Sequence, residues 1–395
     1  MEEKSSGLER VCGRVFLIIF LLFLPIVWVR YFVLGPKGII EKEYRGANAL
    51  PILSVREFAK EDFDRRFEDA LIDLMPAGEE LKDFALGARN VFYKQLSWIT
   101  INPNSGYRPI GNQVYTYDNH DYLLWHKSDD SFFKNVSQKA VDAADFYNQI
   151  PIREKYVYVV TVDRGVDFDH PQNDLVEKIS KYYKDFKVDS LDVPDFETYM
   201  RFFMRNDHHW NYEGAYQGYK DVIKLILGEK EPIKQPEQKV VFNYSANGSK
   251  SRIGNFYEFD EKFTAYEFNL GSYTSYVNYE KEPYGAQEKY FNDPELRNGI
   301  GVITYGEFYG DDYKIVEFDF NQPARKNLLL VGFSDTNAVN CIIASHFNKT
   351  FVTDPRKMTK KEFLDLIDDN KIDALLLMPN TGTFADGSLL FKEQE

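Results

Sequence analysis

Residues 206–210, Asn-Asp-His-His-Trp, place a carboxylate beside two of the chain's six histidines, directly before a predicted helix. Imidazole is the usual base that takes the proton of a serine hydroxyl, and a carboxylate fixes the tautomer of that imidazole. With Asp-x-His spacing on a loop, the side chains of Asp207 and His209 can turn toward one cavity while His208 points elsewhere. The segment therefore predicts acid–base chemistry carried by Asp207 and His209.

A predicted strand further along the chain places a nucleophile for this pair. Residues 328–331, Leu-Leu-Leu-Val, form an apolar run, and Ser334 lies just beyond its carboxyl end. Ligands of α/β sheets bind at the carboxyl ends of the strands. Along the chain, the order of the predicted group is Asp207, His209 and Ser334.

The elements that must position these residues alternate between strands and helices. Apolar and β-branched runs predict strands, and helical spacing predicts helices; the strands are 156–162, 328–331, 350–352 and 374–378, and the helices are 171–187, 212–227, 337–347 and 359–369. This alternation predicts an α/β fold with a parallel central sheet. Between about 235 and 325, short aromatic pieces separated by turn residues predict an antiparallel β-rich insert.

The N-terminal part predicts a membrane anchor over residues 14–34. After Arg14 this run is apolar apart from Arg30, and it reaches the roughly 20 residues that a spanning helix needs. Basic residues precede it, so the positive-inside rule predicts a single-pass protein of the cell membrane, with residues 1–13 in the cytoplasm and the bulk of the chain outside. Residues 35–84 are predicted to be a stalk or peripheral helices, and residues 85–395 the main domain. A cleaved signal peptide is the alternative.

Composition excludes several classes of function. Of 395 residues, 44% are hydrophobic and 16% aromatic, which is ample for a packed core. The net charge is −14, with 48 basic and 62 acidic residues, and no long basic run, which argues against a nucleic-acid partner. Cys12 and Cys341 lie on opposite sides of the predicted anchor, so neither a disulfide nor a cysteine zinc site is expected.

Metal binding is the chief chemical alternative at the Asp-His-His segment. Asp207, His208 and His209 are all zinc-ligand types, but neighbouring loop residues rarely point at one ion, and the chain has no His-x-x-x-His pair. There is also no phosphate-binding loop and no dinucleotide glycine pattern. We therefore predict neither a metal nor a cofactor.

Residues 207–210, Asp-His-His-Trp, followed by Gly-Ala-Tyr at 214–216, resemble the bacterial family named for its DHHW motif. They are also similar to the Asp-Thr-His-Trp segment of the alginate O-acetyltransferase-like branch of the SGNH-hydrolase superfamily. A second block, Val-Gly-Phe-Ser at 331–334 with a later Asp-Pro-Arg at 354–356, looks like that family's serine block. One position departs from it: the family usually has an acid before the serine, and this chain has Phe333.

The resemblance implies a three-layer SGNH-hydrolase-like domain in which Ser334 is the nucleophile, His209 the general base and Asp207 its orienting acid. Candidate oxyanion donors are the Ser334 N–H and the side chain of Asn337, although Asn337 could equally cap the following helix. Arg356 is a candidate for binding an anionic glycan group, with pairing to a nearby carboxylate as the alternative.

Two further residues of the motif have structural alternatives. Trp210 is a candidate for stacking on a sugar, and burial in the core is the more common role of such a residue. His208 is also a candidate for contacting the substrate, with a structural role as the preferred interpretation.

The function implied by the resemblance is an extracytoplasmic O-acetyltransferase that modifies a cell-surface or secreted polysaccharide. It also implies a partner of the membrane-bound O-acyltransferase type that supplies acetyl groups. Two alternatives stay open, a carbohydrate esterase that uses the same residues and a non-catalytic glycan-binding or assembly protein. Phe333 favours the non-catalytic alternative.

Overall fold

The computed structural model describes residues 39–40, 45–46, single positions between 63 and 88, and the segments 105–111, 114–125, 136–170, 174–254 and 261–392. The chain forms two compact units, residues 1–93 and residues 94–395. The predicted cytoplasmic segment and anchor, 1–13 and 14–34, lie outside the described residues. Within the described part of the chain, no helix has the length and apolar character needed to span a membrane. The predicted domain boundaries stay predictions.

Described elements of the first unit are few. Strands β1 (Ile39–Ile40) and β2 (Arg45–Gly46) pair antiparallel. The described positions between 63 and 73 are helical, in agreement with the helical spacing of the predicted peripheral segment.

The second unit contains the remaining elements. Its strands are β3 (Tyr107–Gly111), β4 (Val114–Tyr117), β5 (Glu154–Val159), β6 (Lys187–Ser190), β7 (Gln238–Ala246), β8 (Lys262–Glu267), β9 (Thr274–Val277), β10 (Glu280–Lys281), β11 (Gly301–Ile303), β12 (Val316–Asp319), β13 (Leu328–Gly332), β14 (Lys349–Thr353) and β15 (Ala374–Met378). Its helices are α1 (Gln138–Asn148), α2 (Leu175–Ser180), α3 (Phe196–Phe202), α4 (Tyr212–Leu227), α5 (Ser249–Gly254), α6 (Gln287–Asn292), α7 (Pro294–Arg297), α8 (Tyr305–Tyr309), α9 (Asn340–Ala344), α10 (Lys360–Asp369) and α11 (Thr381–Asp386). Three short 3-10 helices are Asp163–Gly165, Ser334–Ala338 and Pro355–Lys357.

The central sheet is mixed, so the prediction of a parallel sheet is wrong for one half of it. The strand order is β10-β9-β12-β14-β13-β15-β5-β6. Strands β14, β13, β15, β5 and β6 pair in parallel, whereas β12, β9 and β10 pair antiparallel. The physical reason is local, because β9 and β10 form a hairpin through Asn278 and Tyr279, which have positive φ values of 48° and 73°. Such a two-residue turn can only join antiparallel neighbours.

Helices cover both faces of the sheet and give the three predicted layers. Leu328 and Leu330 of β13 pack with the apolar residues of α4 on one face. Leu329 and Val331 point to the other face, where α1 and α10 pack. Because side chains alternate along a strand, this pattern explains why the whole of β13 is apolar. Each buried Leu or Val adds roughly 1.5–3 kcal/mol to folding.

Helix α4 matches the prediction at both ends, and other elements differ. The side chain of Asn211 accepts hydrogen bonds from the backbone N–H groups of Glu213 and Gly214 and so begins α4. The helix predicted over 171–187 is shorter, since among its described residues, 174–187, only Leu175–Ser180 is helical and β6 begins at Lys187. The helix predicted over 337–347 contracts to Asn340–Ala344, preceded by the 3-10 helix that begins at Ser334.

The predicted β-rich insert contributes to two sheets. Strand β7 pairs antiparallel with β8 and parallel with β11, which gives a separate three-stranded sheet. Strands β9, β10 and β12 from the same region extend the central sheet. The insert therefore also contributes a strand close to β13, the strand that precedes Ser334, since β12 pairs with β14 and β14 pairs with β13.

Candidate active site

The loop that carries Asp207 and His209 is closed at its base by a β-bridge between Phe203 and Trp210. Trp210 is only 1% exposed, and its ring rests against α4, where a Cβ added at Gly218 would lie 2.5 Å from it. The carboxylate of Glu261 accepts the backbone N–H groups of Arg205 at 2.9 Å and of residue 206 at 3.2 Å. These contacts fix the position of the loop without involving the side chains of Asp207 and His209.

Ser334 and His209 are brought together across 125 residues of chain. The Ser334 Oγ lies 2.9 Å from the Nε2 of His209, which is hydrogen-bond distance. Ser334 is the first residue of a 3-10 helix that follows β13, at the carboxyl end of a strand in the parallel half of the sheet. In a neutral imidazole whose Nδ1 carries the proton, Nε2 accepts the serine hydroxyl.

Asp207 lies on the other side of the same imidazole. Its Oδ1 is 3.3 Å from the Nδ1 of His209. The carboxylate is buried, which opposes ionisation, but the charge of His209 and hydrogen bonds from His208 and His209 hold the pKa of Asp207 well below its usual value. The group is therefore a carboxylate at neutral pH, as an orienting acid must be.

The same oxygen of Asp207 is shared with two further side chains. It accepts the hydroxyl of Ser249 at 2.7 Å and the backbone N–H of His208 at 2.7 Å. The Nδ1 of His208 lies 2.6 Å from the Ser249 Oγ and 2.9 Å from Asp207. Because the single hydrogen of the Ser249 hydroxyl goes to Asp207, the Nδ1 of His208 must be the donor to Ser249. His208 thus supports Asp207, in agreement with its predicted structural role.

Tyr305 fixes the plane of the His209 ring. The two rings are parallel within 1°, with centroids 3.9 Å apart. The Tyr305 hydroxyl accepts from the Nε1 of Trp210 at 3.2 Å and donates to the backbone carbonyl of Asp335 at 3.1 Å. It also accepts the N–H of Ala338 at 3.3 Å. One tyrosine therefore contacts both the loop of the base and the turn of the nucleophile.

The candidate oxyanion donors differ in availability. The side-chain amide of Asn337 donates to the carbonyl of Gly310 at 2.8 Å and to Asp312 at 3.3 Å, so the structure does not bring it to Ser334. The prediction of Asn337 as an oxyanion donor therefore has no support in this geometry, because both amide hydrogens serve a neighbouring loop. In contrast, the backbone N–H of Ser334 donates no hydrogen bond to any residue in the described part of the chain. Unpaired N–H groups are typical of a helix N-terminus.

Phe333 does not obstruct the dyad formed by Ser334 and His209. Its side chain is buried among Leu329 and Val331, on the face of the sheet opposite to the one that Leu328 and Leu330 occupy. The guanidinium of Arg356 covers its ring at 4.7 Å from the centroid. The position where this chain departs from the family pattern therefore serves the core, while Ser334 faces His209.

Arg356 and Trp210 take the structural alternatives that were left open. The guanidinium of Arg356 pairs with Asp354 at 2.8 Å and with Asp312 at 2.9 Å, so its charge is matched by carboxylates. Trp210 is part of the main core cluster, where a sugar cannot reach its ring.

Asp207, His208 and His209 also place three ligand-type atoms within 4.8 Å of one another. In this geometry the Oδ1 of Asp207 and the Nδ1 of His208 are already engaged with Ser249. That the site holds no metal stays a prediction.

Sequence reasoning missed Ser249, Glu261 and Tyr305. Ser249 and Glu261 lie in the predicted insert, more than 40 residues after the loop they contact, as the separations of 42 and 56 residues in their hydrogen bonds record. Tyr305 is one of 27 tyrosines, and nothing in the sequence distinguishes it from the others.

Comparison with known proteins supports the fold that these elements form. Residues 160–296 match the family model described as the SGNH hydrolase-like domain of the acetyltransferase AlgX. This chain has the SGNH-hydrolase-like α/β fold. The resemblance predicted from the Asp-His-His-Trp block is thereby confirmed.

Two solved structures share the fold. PatB1 of Bacillus cereus, solved with a sulfonyl adduct, is 18% identical with a TM-score of 0.53, over 71% of this chain and 97% of that one. A DHHW family protein from Eubacterium siraeum is 18% identical with a TM-score of 0.50, over 74% of this chain and 98% of that one. Among curated protein sequences, none matches this chain.

Proposed function

We propose that this protein is a serine-dependent O-acetyltransferase that acts on a polysaccharide. The observation that carries the proposal is the 2.9 Å contact between the Ser334 Oγ and the His209 Nε2, with Asp207 on the opposite ring nitrogen. The match of residues 160–296 to a domain named for an acetyltransferase supports acetyl transfer as the reaction.

The first half-reaction forms an acetyl-serine. The Ser334 Oγ attacks the carbonyl carbon of an acetyl donor while the Nε2 of His209 takes the hydroxyl proton. Negative charge develops on the carbonyl oxygen, where the free N–H of Ser334 can stabilise it. The bond to the leaving group then breaks, and His209 returns the proton to that group.

The second half-reaction reverses these roles with a sugar hydroxyl. His209 takes the proton of the sugar hydroxyl, whose oxygen attacks the acetyl carbon, and the Ser334 oxygen leaves and regains a proton from His209. The product is an O-acetyl sugar and free enzyme. In an esterase the same step would use water, so the acceptor decides between the two activities.

Asp207 stabilises the positively charged His209 that both half-reactions pass through. Its buried carboxylate has a pKa held well below the usual value and so keeps its charge throughout the neutral range. Ser249 and His208 keep it oriented. Since Phe333 is turned into the core, the departure at that position no longer favours a non-catalytic protein.

The proposal includes the expected cellular setting. Residues 14–34 would anchor the chain with its bulk outside the cytoplasm, and a membrane-bound O-acyltransferase would deliver the acetyl group. Protease protection of the N-terminus in sealed membrane vesicles tests the anchor. Co-purification of a multi-spanning acyltransferase tests the partner.

The reaction is tested with the full-length chain, a nitrophenyl acetate donor and a soluble polysaccharide acceptor. Acetyl transfer should depend on the acceptor and should fall by a factor of about 10⁶ in Ser334→Ala, as expected when a serine nucleophile is removed. Ser180→Ala, at an exposed serine of α2, is the matched control. Equal rates of acetyl transfer for Ser334→Ala and wild type contradict the proposal. If wild type releases acetate at the same rate with and without the acceptor, the protein is an esterase instead.

A further inference from the structure

A cleft of about 310 Å³ in the second unit has features that the proposed chemistry does not use. Its volume lies at the lower end of the range of about 300–1,000 Å³ for ligand sites. It is lined by α4, the end of β8 with the segment after it, α6, and residues 338–342.

Aromatic rings form one wall of the cleft. The ring of Tyr266 lies 4.9 Å from that of Tyr212 and 5.6 Å from that of Tyr216, and Phe268 is 5.9 Å from Tyr216. All four side chains are partly exposed, unlike the fully buried aromatic residues of the core. The apolar face of a pyranose ring packs well on such surfaces through dispersion and burial of its C–H groups.

Carboxylates and amides supply the polar part of the lining. Glu237, Glu267 and Glu288 all reach the cleft, together with Asn269 and Gln287. Glu288 accepts the hydroxyl of Tyr273, and Glu267 accepts Gln238, yet a carboxylate has about four acceptor positions and so retains capacity. Sugar hydroxyls are the donors that such acceptors bind.

The charge of the cleft restricts the kind of sugar. Among the described residues that line it there are three glutamates and no Lys, Arg or His. Arg297 lies 3.8 Å from Glu267, and Lys220 and Lys239 lie over the rings of Tyr216 and Tyr212 outside the lining, whereas Glu237 and Glu288 form no ion pair with a described basic residue. A uronate would bring negative charge into a site that already carries negative charge, which like-charge repulsion opposes. Neutral sugars meet no such penalty, and amino sugars gain an attraction.

The cleft and the dyad share two segments of the protein. Ala338 of the lining is the last residue of the 3-10 helix that begins at Ser334, and Val339, Cys341 and Ile342 follow that helix. Tyr309 of the lining contacts Tyr305 with ring centroids 4.8 Å apart, and Tyr305 stacks on His209. A glycan held in this cleft therefore lies against the same elements that position the nucleophile and the base.

We infer that this cleft binds the acceptor glycan and selects neutral or amino sugars over uronates. The role as acceptor site rests on the proposed acetyl transfer, whereas binding and charge selection do not require catalysis. The cleft thus defines the class of polysaccharide that the protein modifies.

Binding is tested by calorimetry on the full-length chain in detergent. The probes are short oligosaccharides of glucose, of glucosamine and of glucuronic acid, each in α-linked and β-linked form. Glucose or glucosamine oligomers should bind at least about ten-fold more tightly than the glucuronic acid oligomers, because like charges at close range cost several kcal/mol. Equal or tighter binding of the uronate, or no binding of any neutral or amino oligomer, overturns the inference.

Variants locate the binding in the cleft. Tyr266→Ala should weaken the binding of the preferred oligomer by about ten-fold, while Tyr266→Phe keeps the ring and should bind like wild type. Tyr279→Ala, at a tyrosine that is 72% exposed and outside the cleft, should also bind like wild type. The double variant Glu237→Gln with Glu288→Gln should reduce the difference in binding affinity between glucose oligomers and glucuronic acid oligomers. An unchanged affinity in Tyr266→Ala, in a chain that unfolds at the wild-type temperature, places binding elsewhere and overturns the inference.

Ser334→Ala separates this inference from the proposed function. The variant should bind the oligomers as wild type does, since the serine does not line the cleft. Binding without any acetyl transfer by wild type would remove the proposed reaction and leave the glycan site. Acetyl transfer to neutral sugars that is insensitive to Tyr266→Ala would leave the reaction and remove the site.

Discussion

Two segments meet at the candidate active site, and different forces hold them. The loop of residues 203–210 is fixed by polar contacts, among them those of Glu261 with the backbone and of Ser249 with Asp207. The turn that begins at Ser334 follows β13, whose residues are all buried in apolar packing. Hydrogen bonds to ionisable groups change with pH, whereas apolar packing does not. The base side should therefore respond to pH and to charge, and the nucleophile side to side-chain volume.

Among the changes that distinguish the two segments, the largest effect is expected when the loop of residues 203–210 loses the carboxylate of Asp207. Asp207→Asn should lower kcat by about 10⁴-fold, because an amide in place of the carboxylate favours the wrong tautomer of the base. The affinity for acceptor glycan should change little by comparison, since Asp207 does not line the cleft. Steady-state kinetics with the nitrophenyl donor measure this, with Asp365→Asn on the exposed face of α10 as the control. A loss below about ten-fold would mean that Asp207 does not orient the base.

The corresponding change on the nucleophile side acts on stability. Leu330→Ala should lower the free energy of unfolding by about 2–5 kcal/mol, since a buried leucine of β13 leaves a cavity behind. Chemical denaturation measures the change. Leu364→Ala, at a leucine that is 39% exposed on α10, should have a much smaller effect. If the folded fraction of Leu330→Ala has also lost its activity, the turn of Ser334 depends on packing more delicately than the comparison implies.

The two segments also differ in how well the sequence predicts them. The strand before Ser334 is evident because four consecutive apolar residues, 328–331, are typical of a strand buried on both faces. The Asp-His-His-Trp block predicts the base and its acid, and the structure places His209 against Ser334 and Asp207 against His209. Local pattern was sufficient where one element, or one short motif, determines the position.

Contacts between distant segments were not predictable in this way. Tyr305 stacks on a ring 96 positions earlier in the chain, as its place on α8 and that of His209 imply. The antiparallel half of the central sheet was missed because short strands with turns look alike whether they join a separate sheet or the central one. Asn337 lies close after Ser334 in the sequence, but its side-chain amide donates hydrogen bonds to Gly310 and Asp312, in a loop that the motif does not include.

The pH response of the polar side can be measured at Glu261. Burial raises the pKa of this carboxyl from 4.5 to about 7, against the opposing effect of the two backbone N–H groups that it accepts. A pKa that is higher in the folded state gives a stabilising contribution that is complete below pH 4.5 and is lost as the pH rises through about 7. The folded protein should therefore lose stability from this group between those values.

Glu261→Gln should remove that part of the pH dependence, because the amide does not titrate. We expect wild type and variant to differ in the slope of unfolding free energy against pH by about 1–3 kcal/mol over this interval, since one pKa unit corresponds to about 1.4 kcal/mol. Thermal or chemical denaturation at several pH values measures the slopes. Glu229→Gln, at a side chain that is 78% exposed, is the control. Parallel curves for wild type and Glu261→Gln would show that the carboxyl is not perturbed.

The smallest expected effect concerns the residue that belongs to both segments. The hydroxyl of Tyr305 links Trp210 at the base of the loop to Asp335 and Ala338 in the turn, while its ring supports His209. Tyr305→Phe keeps the ring and removes these links, so kcat should fall by about ten-fold or less, the effect of slight misplacement rather than of a lost group. Tyr305→Leu also removes the stacked ring, so the kcat of this variant should be lower still. Steady-state kinetics on both variants test this, and a phenylalanine variant as slow as the leucine variant would mean that the hydroxyl links, and not the ring, hold the two segments in register.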